Sequence, residues 1–426
     1  MDNSSQRRSR IAAAGRRGLI LARSRGTVVV AALLLFGLQA CSTPVRLPPV
    51  PRAETSNALP LGLQNVRYFA DEDAEEMAQE GLRSVQREVA AMGGLPANGR
   101  LPTANFLAIS GGGDNGAFGA GLLVGWTKAG NRPSFKVVTG ISTGSLIAPL
   151  AFLGPAYDAT LQQVYTTISQ KDIFVDRGLT AAIFDDALSD TSPLFAMISS
   201  QINEQLLAEI ASEYAKGRLL LIGTTNLDAQ RPVIWNMGAL AASGHPRRLE
   251  LFRRILLASA AVPAAFPPVL IDVEVPGKPD TKYQELHVDG GAIAQVFLYP
   301  PSIRLDRESA RMRQQGISRE RRAFIIRNGR VDPEWNEVER STLTIAGRAI
   351  STMIHVSGLN DLFRVWTTAQ RDGVDYNLAY IGSDFEAPRK GDFDREFMSA
   401  LFAYAHDRAV RGYPWHKTPP FMNIGR

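Results

Sequence analysis

The sequence predicts an α/β protein in which a mainly parallel central sheet carries helices on both faces, a three-layer α/β/α fold. Two observations lead to this expectation. Short apolar segments typical of buried strands alternate with longer segments typical of helices. Repeated strand–turn–helix units are the connection that a parallel sheet requires. The 426 residues, 45% of them apolar, are enough to bury a large core, and no internal repeat is visible.

The alternation begins near residue 100. The first four predicted elements are a strand over Ala104–Ser110, a helix over Gly116–Ala129, a Val-rich strand over Phe135–Ile141 and a helix over Gly144–Leu153. The later ones are a hairpin of Arg218–Asn226 with Val233–Met237, a helix over Arg248–Ala261, strands over Tyr283–Val288 and Ala323–Arg327, and one or two helices within Glu339–Gln370. We therefore expect one α/β domain over residues 101–426 with a C-terminal helical extension.

The first 40 residues have the composition of a signal peptide. Seven arginines and one acid precede the largely apolar run Thr27–Leu38, which is shorter than the roughly 20 residues that a membrane span needs. The next residues, Leu38-Gln39-Ala40-Cys41, resemble the lipobox of bacterial lipoproteins. This resemblance implies cleavage before Cys41 and lipidation of its thiol.

Cys41 is the only cysteine of the chain, and its alternative fate is that of an ordinary buried thiol. A position between such a leader and a proline-rich tract disfavours burial. Ser42 after the cysteine resembles the sorting pattern for the outer membrane. The expected location is therefore the bacterial cell envelope, with the protein anchored by lipid to the outer membrane and facing the periplasm.

Two segments precede the predicted domain. Residues 41–70 contain the lipidated cysteine and several prolines, and we expect an extended tether there. Residues 71–100 contain an amphipathic packing helix, whose apolar residues recur every three to five positions up to Met92, and a linker.

The charge of the chain gives no reason to expect a nucleic-acid partner. The leader alone carries +6, one more than the +5 of the whole chain, which leaves the remainder with −1. A nearly neutral body without a block of like charges lacks the electrostatic footprint of nucleic-acid binding.

The strongest local motif is Gly140-Ile141-Ser142-Thr143-Gly144, between the Val-rich strand and an apolar helix. A serine on such a sharp turn projects its hydroxyl from the sheet edge, and the flanking glycines avoid a clash. The backbone N–H of Thr143 would then face the carbonyl oxygen of a bound ester. A lone match of this kind is also compatible with an ordinary tight turn.

A glycine-rich loop, Ser110-Gly111-Gly112-Gly113-Asp114-Asn115-Gly116, follows the first strand. Successive glycine N–H groups before a helix can bind a phosphate or stabilise an oxyanion. The loop lacks the Gly-Lys-Ser/Thr of a P-loop, and no acid lies between positions 115 and 157 to complete a dinucleotide site. We therefore favour an oxyanion hole.

The third motif is His287-Val288-Asp289-Gly290-Gly291. An acid at the end of a strand, followed by two glycines, can bring its carboxylate close to another loop. By itself the motif is also an ordinary Asp-Gly turn.

Taken together and in this order, the three motifs resemble those of the patatin-like phospholipase family. The segment from Ala258 to Pro268, Ala-Ser-Ala-Ala-Val-Pro-Ala-Ala-Phe-Pro-Pro, resembles a fourth motif of that family. The resemblance implies a patatin-like fold and a serine carboxylic ester hydrolase that acts on membrane lipids or other lipid esters. The nucleophile would be Ser142, its base Asp289, and the oxyanion hole Gly111, Gly112, Gly113 and Thr143, with motif glycines at Gly116, Gly140, Gly144, Gly290 and Gly291.

Two chemical expectations accompany the resemblance. An aspartate with an ordinary pKa near 3.9 is a poor base for a serine, so we expect a short hydrogen bond with Ser142, in a site dried by the acyl chain, to raise the pKa of Asp289. Asn115 stands where many family members have Arg or Lys, so a cation that could hold a phosphate head group is missing. No cofactor is expected, and without a metal-ligand pattern we expect metal-independent activity.

Two alternatives remain open at this point. The first is an α/β-hydrolase esterase with a Ser-His-Asp triad, for which five histidines are available: His245, His287, His355, His406 and His416. None lies in a segment typical of a catalytic turn, although His287 shares a strand face with Asp289. The second is a non-catalytic lipoprotein that uses the fold to bind lipid.

Overall fold

A computed structural model describes residues 45–177, 187–420 and 422. Its strands are β1 Leu59–Pro60, β2 Arg67–Phe69, β3 Ala104–Ile109, β4 Val137–Gly140, β5 Val175–Asp176, β6 Ser189–Asp190, β7 Leu219–Asn226, β8 Arg231–Asn236, β9 Val269–Glu274, β10 Tyr283–Asp289, β11 Arg321–Arg330 and β12 Asp375–Ile381. Its helices are α1 Ala74–Ala91, α2 Gly116–Lys128, α3 Thr143–Leu153, α4 Asp158–Thr167, α5 Ser192–Gln201, α6 Glu204–Ala215, α7 Met237–Ala242, α8 Arg248–Ser259, α9 Leu305–Gln314, α10 Thr342–Asp372 and α11 Arg395–Val410. The predicted signal peptide over residues 1–40 and Cys41 lie outside the described residues. Within the described ranges, no helix is both long and apolar enough to cross a membrane.

The centre of the fold is a 10-stranded sheet. Strands β7, β4, β3, β11 and β12 lie side by side and pair in parallel. Antiparallel strands extend this block: β8 and then β2 on one side of β7, and β10, β9 and β1 on the other. The predicted α/β class with a mainly parallel central sheet is confirmed.

Successive residues of the central strands face two different cores. On β3, Leu107 and Ile109 belong to one hydrophobic cluster, which includes residues of α2, α3, α8 and α11. Phe106 and Ala108 belong to a second cluster on the opposite face, which includes residues of α10. Because the side chains of a strand alternate between its faces, this division gives the three predicted layers.

Two strands, β4 and β10, end next to each other on the same edge of β7. Strand β8 pairs with β7 along one edge, from Leu221 to Asn226. On the opposite edge, β4 runs parallel to β7 as far as Gly140, which lies opposite Ile222, and β10 runs antiparallel as far as Asp289, which lies opposite Thr224. Strands β4 and β10 therefore run toward each other along one edge and end on either side of a single β7 residue, Gly223.

The predicted tether over residues 41–70 is wrong for most of its described part. Arg46 forms a bidentate ion pair with Asp228, with N–O distances of 2.7 and 3.0 Å. The N–H of Leu47 donates to the side chain of Gln284 over 2.9 Å. The chain is thus held against the domain from residue 46 onward.

Two short strands complete this attachment. β1 pairs with the edge strand β9, and β2 pairs with β8. Tyr68 and Phe69 on β2 are buried. Proline is tolerated at a sheet edge, so Pro60 does not prevent pairing, and the apolar residues after it supply the burial that a tether would lack.

The amphipathic helix predicted within residues 71–100 is present as α1, but its packing differs from a simple apolar stripe. Its buried residues are Met77, Glu80 and Ser84. The carboxylate of Glu80 pairs with Arg83 and Arg87 of the same helix, at 2.9 and 2.7 Å. The buried face of α1 is therefore partly polar.

Candidate active site

Ser142 occupies the turn between β4 and α3. Its backbone angles are φ 54° and ψ −126°, a conformation that residues with a Cβ rarely adopt. A Cβ at Gly140 would overlap the carbonyl of Gly144, and a Cβ at Gly144 would overlap the carbonyl of Ile109. The two glycines therefore allow the sharp turn that was predicted from their spacing around the serine.

The strained turn is held by Ser259 at the end of α8. The N–H of Ser142 donates to the Ser259 hydroxyl over 3.0 Å, and this hydroxyl donates to the carbonyl of Gly223 over 2.7 Å. The carbonyl of Ser142 in turn accepts the Ser145 hydroxyl at 2.6 Å. The segment from Ala258 to Pro268 thus holds the backbone of Ser142 in place through Ser259, a role that its sequence alone did not reveal.

Asp289 ends β10 beside this turn and is 4% exposed. Its N–H donates to the carbonyl of Ala261 over 2.9 Å, so the same segment also fixes the aspartate. One carboxylate oxygen accepts the N–H of Gly291 at 2.7 Å. The Ser142 side chain approaches this carboxylate without a hydrogen bond of normal geometry.

Burial is the dominant influence on the Asp289 carboxyl group. It raises the pKa of Asp289 to about 7, against the lowering effects of the Ser142 side chain and of the Gly291 N–H. No charged side chain contributes to this shift. The carboxylate is therefore a much stronger base than an exposed aspartate, as the chemistry of a serine nucleophile requires.

The glycine-rich loop lies on the other side of Ser142, with Gly111 against it. The N–H of Gly111 donates to the backbone carbonyl of Gln295 over 3.1 Å. The expectation that Gly111 donates to an oxyanion is therefore corrected: its N–H is occupied, and its role is to leave space. A Cβ there would lie 3.1 Å from the Cβ of Ser142 and 3.0 Å from Oε1 of Gln295.

The other predicted donors are arranged differently. Within the described ranges no hydrogen bond is made by the N–H of Gly112, Gly113 or Thr143, and the last two begin helical turns, where N–H groups lack helical acceptors. Gly112 has φ 155°, and a Cβ on it would overlap the carbonyl of Asn328. Asn328, at the end of β11, also accepts the N–H of Gly119 over 3.0 Å, which fixes the loop against the following helix.

The remaining motif glycines allow close packing around the site. A Cβ on Gly116 would overlap the hydroxyl of Thr143, and one on Gly290 would lie 2.7 Å from the carbonyl of Gly223. One on Gly291 would lie 2.9 Å from the carboxylate of Asp289. These positions exclude any side chain, because the atoms that a side chain would meet belong to the site itself.

Gln295 is a site residue that the sequence analysis missed. It is 6% exposed, and its amide donates to the carbonyl of Gly291 over 2.8 Å. Its own N–H donates to the buried carboxylate of Asp361 on α10. It therefore links the aspartate turn, the glycine-rich loop and α10. The only signal in the sequence is its place four residues after Gly291, which is too common a spacing to single it out.

None of the five histidines bonds to Ser142 or Asp289. His287 is fully buried, but its Nδ1 bonds to the Thr224 hydroxyl at 3.0 Å and its Nε2 to Glu285 at 3.1 Å. The other four lie elsewhere: His245 accepts the Arg247 N–H, His355 lies on α10, His406 pairs with Asp407, and His416 stacks on Tyr380. Around these groups and throughout the described ranges, no set of three or more His, Cys, Asp or Glu side chains could hold a metal ion.

Comparison with known protein families agrees with the motifs. Residues 107–300 match the family model described as patatin-like phospholipase. Over these residues the chain is similar to patatin-like phospholipases, and the resemblance inferred from its motifs is confirmed there. The family description is that of a lipid acyl hydrolase.

Among solved structures, the chain is similar to the crystal structure of VipD from Legionella pneumophila. The two share 11% sequence identity with a TM-score of 0.30, over 72% of this chain and 67% of that one. No curated protein sequence matches the chain.

Proposed function

We propose that this protein hydrolyses lipid acyl esters with Ser142 as nucleophile and Asp289 as its base. The observation that carries the proposal is the convergence of β4 and β10 at Gly223, which brings a strained serine and a buried aspartate together. The activities that fit are phospholipase A, lysophospholipase or esterase, all of which cleave a carboxylic ester.

The chemistry follows from the positions of these groups. Asp289 accepts the hydroxyl proton of Ser142 as the oxygen attacks the ester carbonyl. The oxyanion that forms would be stabilised by the N–H groups of Gly112, Gly113 and Thr143. Asp289 then returns the proton to the departing alcohol, and an acyl-serine remains. Water, deprotonated by the same carboxylate, attacks the acyl-serine. The bond between the acyl carbon and the Ser142 oxygen breaks, Asp289 returns the proton to that oxygen, and the fatty acid is released.

Covalent labelling tests the nucleophile. A fluorophosphonate probe should label the wild-type chain once and fail to label Ser142→Ala. Ser84→Ala is the control, since Ser84 is also buried and its hydroxyl bonds the carbonyl of Gly217, far from Ser142; it should still be labelled. Labelling of Ser142→Ala at the wild-type rate would contradict the proposal, and absence of labelling in the wild type would favour a lipid-binding protein without activity.

Hydrolysis of a panel of lipids tests the substrate. The panel should contain phospholipids, lysophospholipids and neutral esters of one acyl chain, each with and without a chelator. We expect acyl release from at least one class and no effect of the chelator. Because Asn115 replaces the usual cation, we expect neutral esters to be cleaved as well as phospholipids.

Histidine substitutions distinguish the proposed dyad from a triad. Replacing His245, His355, His406 or His416 by Gln should leave kcat unchanged. His287→Gln should alter stability more than kcat, because the ring bonds to Thr224 and Glu285 and not to Ser142. Loss of turnover in a folded variant of any of the five would favour the triad.

We propose further that Cys41 carries a lipid anchor in the bacterial cell envelope, at the outer membrane and facing the periplasm. The signal-like composition of residues 1–40 and the tetrapeptide that ends at Cys41 support this. Expression of the full chain and of Cys41→Ser with an alkyne-tagged fatty acid tests it. The wild type should incorporate the tag and fractionate with membranes, whereas equal incorporation by the variant would contradict lipidation at Cys41.

A further inference from the structure

A cavity of about 690 Å³ lies between α1 and α9, on the sheet face opposite to α2 and α3. Its floor is formed by the first residues of β3, β4 and β7, including Phe106, Val137 and Leu219. Ser142, Asp289 and the glycine-rich loop are at the other ends of these strands, and none of them lines the cavity. Its volume is within the roughly 300–1,000 Å³ of small-molecule sites.

The wall formed by α1 contains an apolar row that belongs to none of the hydrophobic clusters, beside polar residues of the same helix such as Glu80 and Ser84. Leu82, Val85 and Val89 recur at the spacing of one helix face, and all three line the cavity. Each is only half-buried, and none is part of the hydrophobic clusters on either face of the sheet. Sheet residues opposite them, Phe106 and Leu219, are also apolar. The space therefore suits a hydrocarbon chain.

The opposite wall is basic. Three acidic residues line the cavity, whereas twice as many basic ones do: Lys136, Arg304, Arg307, Arg311, Arg319 and Arg321. Lys136 and Arg319 share the carboxylate of Glu88, and Arg304 pairs with Asp306 at 2.6 Å. Arg311 lies 3.8 Å from Glu308. Two cations, Arg307 and Arg321, make no ion pair with any carboxylate in the described ranges.

Arg321, the first residue of β11, is the more informative of these two. Its guanidinium is half-buried and donates to the hydroxyl of Ser309 over 2.6 Å, with the Met312 sulfur 4.0 Å away. Burial, together with the nearby cation Arg319, lowers the pKa of Arg321, and this lowering is opposed by Tyr299 and by the carboxylates of Glu308 and Asp372, neither of which forms an ion pair with it. A half-buried cation whose direct contacts are all neutral leaves room for an anion from outside the chain.

From these two walls we infer that the cavity binds a long-chain fatty carboxylate, with its chain along Leu82, Val85 and Val89 and its carboxylate at Arg321. Such a ligand combines the two properties that the cavity offers, an apolar surface and an unpaired cation at one side. The site is separate from Ser142, so its occupation does not depend on the hydrolytic chemistry proposed above.

Binding of the fluorescent fatty acid cis-parinaric acid to the purified full-length chain tests the inference. The chain should carry Ser142→Ala, and palmitate should displace the probe. Arg321→Gln should weaken palmitate binding about tenfold or more, since a charged hydrogen bond is lost. Arg322→Gln is the matched control, because Arg322 is the next residue of the same strand, is exposed and does not line the cavity.

A second pair of variants keeps the test valid if Arg321→Gln fails to fold. Val85→Trp should fill the cavity and abolish displaceable binding, whereas Ala90→Trp, on the exposed side of α1, should bind as the parent does. Both should retain fluorophosphonate labelling when Ser142 is restored. Equal binding by all variants would overturn the inference. Equal displacement by hexadecanol and palmitate would overturn the role of the charge.

Discussion

The hydroxyl of Ser259 accepts the backbone N–H of Ser142 at 3.0 Å and donates to the Gly223 carbonyl at 2.7 Å. One side chain thus connects the strained serine turn to the strand on which β4 and β10 converge. Removal of that hydroxyl leaves the backbone of Ser142 without its partner.

Ser259→Ala should therefore reduce kcat about ten- to a hundredfold with little change in KM, because the nucleophile loses its fixed position. Ser84→Ala is a suitable control: its hydroxyl is also buried and bonds a carbonyl, that of Gly217, far from the site. Both variants should lose about 1 kcal/mol of unfolding free energy. Equal kcat values for the two would show that Ser259 has only a structural role.

The elevated pKa of Asp289 predicts the pH dependence of catalysis. Its carboxylate must be deprotonated to accept a proton, and its pKa is about 7. We expect kcat/KM for a soluble ester to fall about tenfold per pH unit below this value and to level off above it. The rate of fluorophosphonate labelling should follow the same curve. A rate that stays constant down to pH 5 would contradict a base with this pKa.

The same pKa predicts that Asp289 destabilises the folded state at high pH. The folded pKa, about 7, is above the ordinary value of 3.8, so the folded state binds the proton more tightly. This contribution is complete below about pH 4 and disappears as the pH rises through 7. Asn cannot ionise, so the unfolding free energy of Asp289→Asn relative to wild type should increase by roughly 2 kcal/mol from pH 5.5 to 8.5. Denaturant titration at both pH values measures this, and a constant difference would contradict it.

Two neighbouring glycines should respond differently to the same substitution. Gly112→Ala forces a Cβ into the carbonyl of Asn328, whereas a Cβ on Gly113 meets no atom within 4 Å. Gly113→Ala should cost only the roughly 1–2 kcal/mol of a left-handed backbone, since its φ is 57°. Gly112→Ala should cost more stability and also lose labelling at Ser142, because the oxyanion loop must move. Similar unfolding free energies for the two variants would contradict this account.

The sequence predicted the elements that local signals define. The strand before Ser142, its sharp turn and the following helix lie within one short stretch of chain, and the flanking glycines reveal the turn directly. Asp289 was also recognised from its own neighbours. The family resemblance added what neither motif contains, that these two residues belong to one site.

What the sequence could not reveal depends on pairing between distant segments. The meeting of β4 and β10 requires that both pair with one edge of β7, which no local pattern encodes. The strands β9 and β12 were not predicted, and β2 was assigned to a tether, because their burial comes from strands far away in sequence. The occupied N–H of Gly111 follows from Gln295, whose position is known only once the chain is folded.

The early attachment of the chain limits how far the enzyme could travel from an anchor at Cys41. Only residues 42–45 separate that cysteine from the ion pair of Arg46 with Asp228. A fully extended segment of this length would span roughly 15–20 Å. A hydrolase anchored in this way would act on lipids of the leaflet that holds its anchor. It would not reach lipids farther from the membrane surface.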